Sequence, residues 1–319
     1  MYLSIIIVNW NSKVFLANCI SSIISNKKHI DYEIIVIDSG SFDGSCEMIK
    51  QLYPEIRFIQ SDRNLGFAKS NNIAFMESHG SNILFLNPDT EIESGALHLL
   101  IKNLDSIPNA GAVGASLFNS DGSVQSTCIR AFPTILNQIL DAELLKKKFP
   151  FSKLWGMAAL YNRPIKPVKV DAVSGACLMV KRSAFEEVGM FSTDYFMYSE
   201  DIDLCFKLKA AGWGTYYIPD AIVTHHGGGS SRKSGVSVFS DVMMLESRLR
   251  FFRKTRSHLY ACLYRLSMLC VSLIRILVLA LFYFGFKSTK KVNYIEKVIL
   301  KWTSRLRWTL GLESWVKNY

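Results

Sequence analysis

Seven cysteines are scattered through 319 residues without one CxxC or CxxH spacing. Their odd number and scatter favour reduced, mostly buried thiols in a cytosolic compartment over a disulfide framework. A basic n-region is also missing. The apolar run after Met1, Ile5 to Val8, is short and breaks at Asn9, so no secretory signal is visible. Nor is the first strand followed by a Gly-rich, lysine-bearing loop. "NWNSKVFL" stands there instead, which disfavours the triphosphate cradle of a sugar nucleotidyltransferase. Acids are scarce at one end of the chain: residues 240–319 hold 15 Lys+Arg against 4 Asp+Glu, whereas residues 1–239 hold 22 against 23. The net charge of +10 therefore belongs to the C-terminal quarter, and its partner is sought there.

With 49% apolar residues, a chain of this length makes one large domain with an appendage, or two domains. "LSIIIV" (3–8), "EIIVID" (33–38), "IRFIQ" (56–60) and "NILFLN" (82–87) read as strands. Between them lie helical stretches over 14–25, from the N-cap candidate Asp43 to about Tyr53, and from "NLGF" to Gly80. Strand and helix alternating over some ninety residues predict a mostly parallel, doubly wound α/β sheet, with helices on both faces. Residues 119–168 read as loops and short helices, either an acceptor-facing surface or a variable insertion. The pattern then resumes with the strand "VSGACLMVKR", a capping box at Ser183 and Glu186, the amphipathic helix "SEDIDLCFKLKAAG", and the strands "GTYYIP" and Ala221 to Thr224.

"ILFLNPDTEI" runs from a buried strand through Asn87-Pro88 to the carboxylate of Asp89. Ligands of such sheets bind beyond the carboxyl ends of the strands, and Asn9, Asp38 and Asp89 all stand at such ends. Any one of them could be an ordinary turn residue; three together describe a crevice. Asp89 is a hard oxygen ligand suited to Mg²⁺ or Mn²⁺. His225 or His226, at a strand end before a glycine run, offers a second ligand; either could instead only cap a turn. The loop from Gly227 through Arg232 and Lys233 reads as a linker or as a lid that would neutralise a pyrophosphate. Glu200 and Asp201 open a helix, where negative charge suits the macrodipole. They also follow the aromatic loop "DYFMY", a water-excluding setting for a general base. Asp203 faces elsewhere and reads as structural.

The segments "IIIVNWNS", "IIVIDSGSFDGS", "NLGFAKSNN", "LFLNPDT", "VSGACLMVKRSAFEEVGMF", "YFMYSEDIDLCFKLKAAGW" and "IVTHHGGGS", in that order, resemble the inverting glycosyltransferases of family 2 with the GT-A fold. Within that family they resemble the rhamnosyltransferase-like branch of bacterial polysaccharide (O-antigen or capsule) synthesis. The resemblance covers about residues 2–256. It implies a glycosyltransferase domain over 1–240, with a nucleotide-binding half (1–110) and an acceptor and catalytic half (111–240), followed by a helical membrane-association region (241–319). It implies that Asn9 and Asp38 contact base and ribose, and that Arg63, Asn64, Gly66, Asn72, Asn87, Gly175 and Arg232 line the nucleotide-sugar site. Asp89 and His225 would hold Mg²⁺ or Mn²⁺, and Asp201, with Glu200 beside it, would be the catalytic base. Two positions depart from the pattern: Asn87 replaces the first acid of the metal motif, and Ser39 replaces the Asn expected after Asp38. The implied partners are a nucleotide diphosphate sugar donor, a glycan or polyprenyl-linked saccharide acceptor and the membrane surface; nucleic acid is not among them. The implied place is the cytoplasmic face of the inner membrane. A non-catalytic nucleotide-sugar-binding scaffold would lack the ED pair, which is present.

The basic stretch "SRLRFFRKTRSH" precedes Leu266 to Phe286, 21 residues with one charge, Arg275. The length allows a span, but a mid-span arginine is costly and both flanks are positive. An interfacial hairpin, a spanning helix and a soluble helical pair all remain open readings. The long apolar run argues against nucleic acid.

Overall fold

The computed structural model describes residues 2–26, 30–162, 164–227, 238–286 and 292–318. Their elements run β1 (Leu3–Asn9), α1 (Lys13–Ser25), β2 (Tyr32–Ser39), α2 (Ser45–Leu52), β3 (Arg57–Ser61), α3 (Phe67–Met76), β4 (Asn82–Leu86), β5 (Thr90–Ile92), α4 (Ala96–Ser106) and β6 (Ala110–Phe118). Next come β7 (Ile129–Arg130), α5 (Ile135–Ile139), α6 (Glu143–Lys148), α7 (Ala158–Asn162), β8 (Val168–Val170), β9 (Ala172–Val173), β10 (Cys177–Lys181), α8 (Arg182–Glu187), α9 (Glu200–Ala210) and β11 (Gly214–His225). The helices α10 (Val238–Thr255), α11 (His258–Phe286) and α12 (Val292–Thr309), with a 3₁₀ turn at Ser314–Asn318, complete the chain.

Two compact units emerge: Met1–Phe132, Lys146–Phe196 and Glu200–Arg232 form the first, and Pro133–Leu145, Met197–Ser199 and Lys233–Tyr319 the second. In the first, a nine-stranded sheet runs β3-β2-β1-β4-β10-β6-β11-β5, with β8 also paired to β11. Strands β3, β2, β1 and β4 are parallel, as their unbroken apolar runs require when both faces are covered. Beyond them the sheet is mixed rather than mostly parallel, because β10 is antiparallel to both β4 and β6. This reversal matters for the site. Cys177 pairs with Leu86, so the residues that lead into β10 lie at the carboxyl end of β4.

Several local expectations need correction. The strand β6, "AGAVGASLF", carries little of the β-branched, aromatic signal of a strand; its small residues serve packing instead. A Cβ on Gly114 would meet the Val173 side chain at 2.5 Å. The two strands expected at 214–219 and 221–224 are one, β11, whose pairing with β6 slips between Ile218 and Ile222 around Pro219 and Asp220. The capping box at Ser183 and Glu186 is absent: α8 starts at Arg182 without a side-chain cap, and Glu186 pairs with Arg182. Helix α3 stops at Met76, short of Gly80. Gly80 instead lies against β1, where a Cβ would stand 2.4 Å from the Ser4 amide nitrogen. The cysteines are all free, and burial pushes the Cys19, Cys128, Cys177 and Cys205 thiols up to about 12, which leaves them inert.

In the second unit α11 and α12 form an antiparallel hairpin. Arg265 donates to the Trp308 and Thr309 carbonyls, and Tyr283 to Glu296. Arg305 binds Asp241 of α10 through two N–H groups, each at 2.6 Å. Tyr198 (φ 71) and Ser199 (φ 68) are left-handed non-glycine residues immediately before α9. Each such residue costs on the order of 1–3 kcal/mol, and Ser247 and Arg248 of α10 hold the segment by hydrogen bonds to the Met197 carbonyl and Ser199 hydroxyl.

Candidate active site

Asn9 and Asp38 end β1 and β2 side by side in register. The Asn9 amide donates to Asp38 at 2.7 Å, while Gln60 and the Ser41 backbone donate to the other Asp38 oxygen. Both residues are buried, and Asn9 Oδ1 has no hydrogen-bond partner among the described residues. A buried acceptor without a donor is costly, and a ligand N–H or O–H would satisfy it. Ser39, which stands where Asn is expected, turns to the Ser70 hydroxyl at 2.9 Å and is buried.

The 63–66 turn is built for close approach. Asn64 accepts from the Gly66 amide. Gly66 has φ +77, and a Cβ there would stand 2.3 Å from the Phe196 carbonyl. The Arg63 backbone packs on Gly40, and its side chain is exposed. Asn72, expected at the nucleotide, is otherwise engaged: its amide spans both the N–H and the C=O of Phe191, so it braces a loop. Arg232 and Lys233 of the expected lid lie outside the described residues.

Asn87, Asp89 and His225 converge because β5 pairs antiparallel with the end of β11, setting His225 opposite Thr90. His225 Nε2 lies 3.3 Å from Asp89 Oδ1 and 3.4 Å from Asn87 Nδ2. Its Nδ1 lies 2.9 Å from Gln125 Oε1, and Gln125 Nε2 donates to the His225 carbonyl. An amide oxygen can only accept, so Nδ1 is the nitrogen that donates to Gln125, and Nε2 is the one turned to Asp89. His226 differs: Nε2 meets Glu91 at 2.9 Å and Nδ1 meets Ser120 at 2.8 Å, so both nitrogens are engaged. Sequence reading missed Gln125, since nothing in "SVQST" signals that it will face a histidine a hundred residues away.

Asp201, in the first turn of α9, is 7% exposed. One oxygen accepts from the Gly175 amide at 3.0 Å, the other from its neighbour Ile202, and Arg130 lies 3.7 Å away. Arg130 was also missed, being a lone arginine in an irregular stretch. Gly175 leaves room for this approach: a Cβ there would sit 3.4 Å from the Asp201 Cβ. The next residue, Ala176, accepts from the Asn87 amide. One backbone step therefore links the acid of α9 to the Asn87–Asp89–His225 group, and both carboxylates serve the same end of the sheet. Glu200 is likewise buried. Asp203 is structural, bonded to Ser192 and Tyr195. A cavity of about 480 Å³ lined by Lys169, Asp171, Lys209 and Trp213 lies by the far end of α9 and includes none of these acids.

Asp89 and His225 supply one hard oxygen and one imidazole nitrogen. No group of three His, Cys, Asp or Glu is poised for a metal among the described residues. A pair of protein ligands suits Mn²⁺ or Mg²⁺, which share their shell with phosphate and water.

A family model described as glycosyl transferase family 2 matches residues 4–189. The chain is 34% identical over 206 residues to the N-acetylglucosaminyl-diphospho-decaprenol L-rhamnosyltransferase of Mycobacterium tuberculosis, covering 60% of this chain and 66%, just under two thirds, of that protein. It is 28% identical over 261 residues to the rhamnosyltransferase WbbL of Escherichia coli, covering 79% and 93%. Among solved structures, the mannosyltransferase PcManGT of Pyrobaculum calidifontis, in complex with GDP-Man and Mn²⁺, superposes with a TM-score of 0.61 at 14% identity, over 97% of this chain and 86% of that one. That likeness identifies the GT-A fold.

Proposed function

The chain belongs to glycosyl transferase family 2, and from that membership we propose that it moves a hexose, L-rhamnose first among the candidates, from a nucleotide diphosphate sugar to a hydroxyl of a lipid-linked glycan, with inversion, in bacterial surface polysaccharide synthesis. The observation that carries this reading is the orientation of the His225 ring, with Nδ1 at Gln125 and Nε2 turned to Asp89, at the same sheet end as Asp201. The activity of the mycobacterial relative supports the sugar and the polyprenyl-linked acceptor.

Asn9 Oδ1 and the Asp38 edge receive the nucleoside. Asp89 and His225 would hold a divalent cation, which would supply charge neutralisation for the departing diphosphate. Asp201 takes the proton of the acceptor hydroxyl. That oxygen bonds to the anomeric carbon as the carbon–oxygen bond to the diphosphate breaks, and its electron pair leaves with the nucleoside diphosphate. One displacement inverts the carbon, so no second carboxylate nucleophile is needed. Gly175 and Arg130 keep the base oriented.

Gln125 holds the His225 ring through Nδ1, so Gln125→Leu is expected to weaken Mn²⁺ activation about 10–100-fold, read as the metal concentration at half-maximal turnover. An unchanged value would detach Gln125 from the metal site.

The second unit supports attachment to a membrane, which for this reading is the inner membrane at its cytoplasmic face. The 26 residues His258–Tyr283 are long and apolar enough to cross a bilayer, and most of them are exposed or half-buried. Yet α12 packs along α11 and carries Lys297, Lys301, Arg305 and Arg307, and Arg275 rests over the Trp302 ring at 5.4 Å. Burying that pair in hydrocarbon would draw several charges with it, so the hairpin lies in the interface.

The experiment is a donor panel: purified protein with dTDP-, UDP- and GDP-sugars, scored for metal-dependent release of nucleoside diphosphate. The dTDP-rhamnose lane is expected to lead. Release in no lane, with or without a polyprenyl-linked acceptor, would sink the transferase reading.

A further inference from the structure

Within the second unit, a cavity of about 290 Å³ is lined by Arg250, Arg253, Arg265, Glu246, Trp308 and Glu313, with Leu249, Gly311 and Val316 completing the wall. Three guanidinium groups face two carboxylates, and both carboxylates are already occupied. Glu246 binds Arg250 and accepts from the Trp308 indole at 2.9 Å. Glu313 binds Arg307 at 2.8 Å and accepts from Trp315 at 2.7 Å. Arg265 is held in place by two carbonyls at 2.9 Å and by the Trp308 ring beneath it. Arg253 is exposed and has no side-chain partner among the described residues.

The surroundings of this cationic cavity are greasy. Gly311 stands between Leu310 and Leu312, exposed by 56% and 58%. Arg265 is followed by Leu266, 55% exposed, in a stripe of exposed leucines at 259, 263, 266, 273, 277 and 281 along α11. Hydrocarbon-facing leucines bordering fixed arginines match the boundary between acyl chains and phosphates, and guanidinium is well suited to phosphate oxygens.

We propose that this cavity is a headgroup site that receives the phosphate of an anionic membrane phospholipid. The inference rests on the interfacial reading of α11 and α12 and makes it specific: the leucines supply attachment, and Arg250, Arg253 and Arg265 supply lipid selection.

The test is co-sedimentation of the full chain with vesicles of phosphatidylcholine alone or mixed with phosphatidylglycerol, at equal ionic strength. Wild type is expected to bind both, the anionic vesicles at least about fivefold more tightly. Arg253→Gln, at an exposed position where folding is spared, is expected to remove most of that preference and leave phosphatidylcholine binding unchanged. Arg256→Gln, exposed but outside the cavity, is expected to leave most of it. Equal losses in the two variants would mean diffuse attraction and overturn the site. Loss of the preference on adding inorganic phosphate at matched ionic strength would make the site one for free phosphate and overturn the lipid assignment. Wild type pelleting equally with both vesicles would overturn the headgroup site alone. Pelleting with neither would overturn the membrane reading beneath it.

Discussion

Asp201→Asn is expected to lower sugar transfer about 10²–10⁴-fold, the range a positioned general base contributes, while donor binding is largely kept. Asn cannot take the acceptor proton at neutral pH, and among the described residues the partners of the Asp201 side chain are the Gly175 and Ile202 amides and Arg130, none of which is a base. The substitution also has a structural cost. Both carboxylate oxygens now accept N–H bonds, and the Asn NH₂ group would face one of those donors, leaving it unsatisfied at about 1–3 kcal/mol. Thermal unfolding must therefore accompany the kinetics. A loss in kcat with an unchanged KM for donor assigns the acid to the chemical step. Transfer at near wild-type rate by a folded Asp201→Asn protein would remove it from that role.

The four parallel strands and their helices were legible because uninterrupted runs such as "LSIIIV" have little alternative to burial on both faces. The acids at strand ends were legible for the same reason: a strand that must be buried makes its polar terminus conspicuous. What could not be read is what depends on pairing between distant segments. The strand β6 was missed because Gly111 and Gly114 are chosen to fit Trp213 and Val173, not for strand propensity. The antiparallel entry of β10, which brings Gly175 to Asp201, leaves no local trace. Gln125 and Arg130 lie in a stretch whose only sequence character is irregularity. Asn72 shows the converse: its position in a motif suggests a ligand contact, and the bonds its amide makes are to the Phe191 backbone, 119 residues away in sequence and without local trace.

Removal of the divalent cation is expected to abolish turnover, and Asp89→Asn to lower it about 10³-fold, since the charge stabilisation a bound metal gives is several kcal/mol. The departure at Asn87 sharpens this expectation. In a site with two acids, loss of one leaves the other; here Asp89 is the carboxylate beside His225 Nε2 among the described residues, and an imidazole alone holds a hard cation poorly. The His226 amide donates to the Asp89 carbonyl at 2.9 Å, a backbone bond that Asp89→Asn keeps, and thermal unfolding read beside the kinetics separates lost metal binding from lost stability. Because the second ligand is nitrogen, Mn²⁺ is expected to restore the chelated wild type more fully than Mg²⁺. Asp89→Asn should need far more of either ion and fall short of full rate even when saturated. Full turnover in excess chelator, or an Asp89→Asn protein with the wild-type metal requirement, would place the diphosphate elsewhere and leave the Asp89–His225 pair as a strand-end brace.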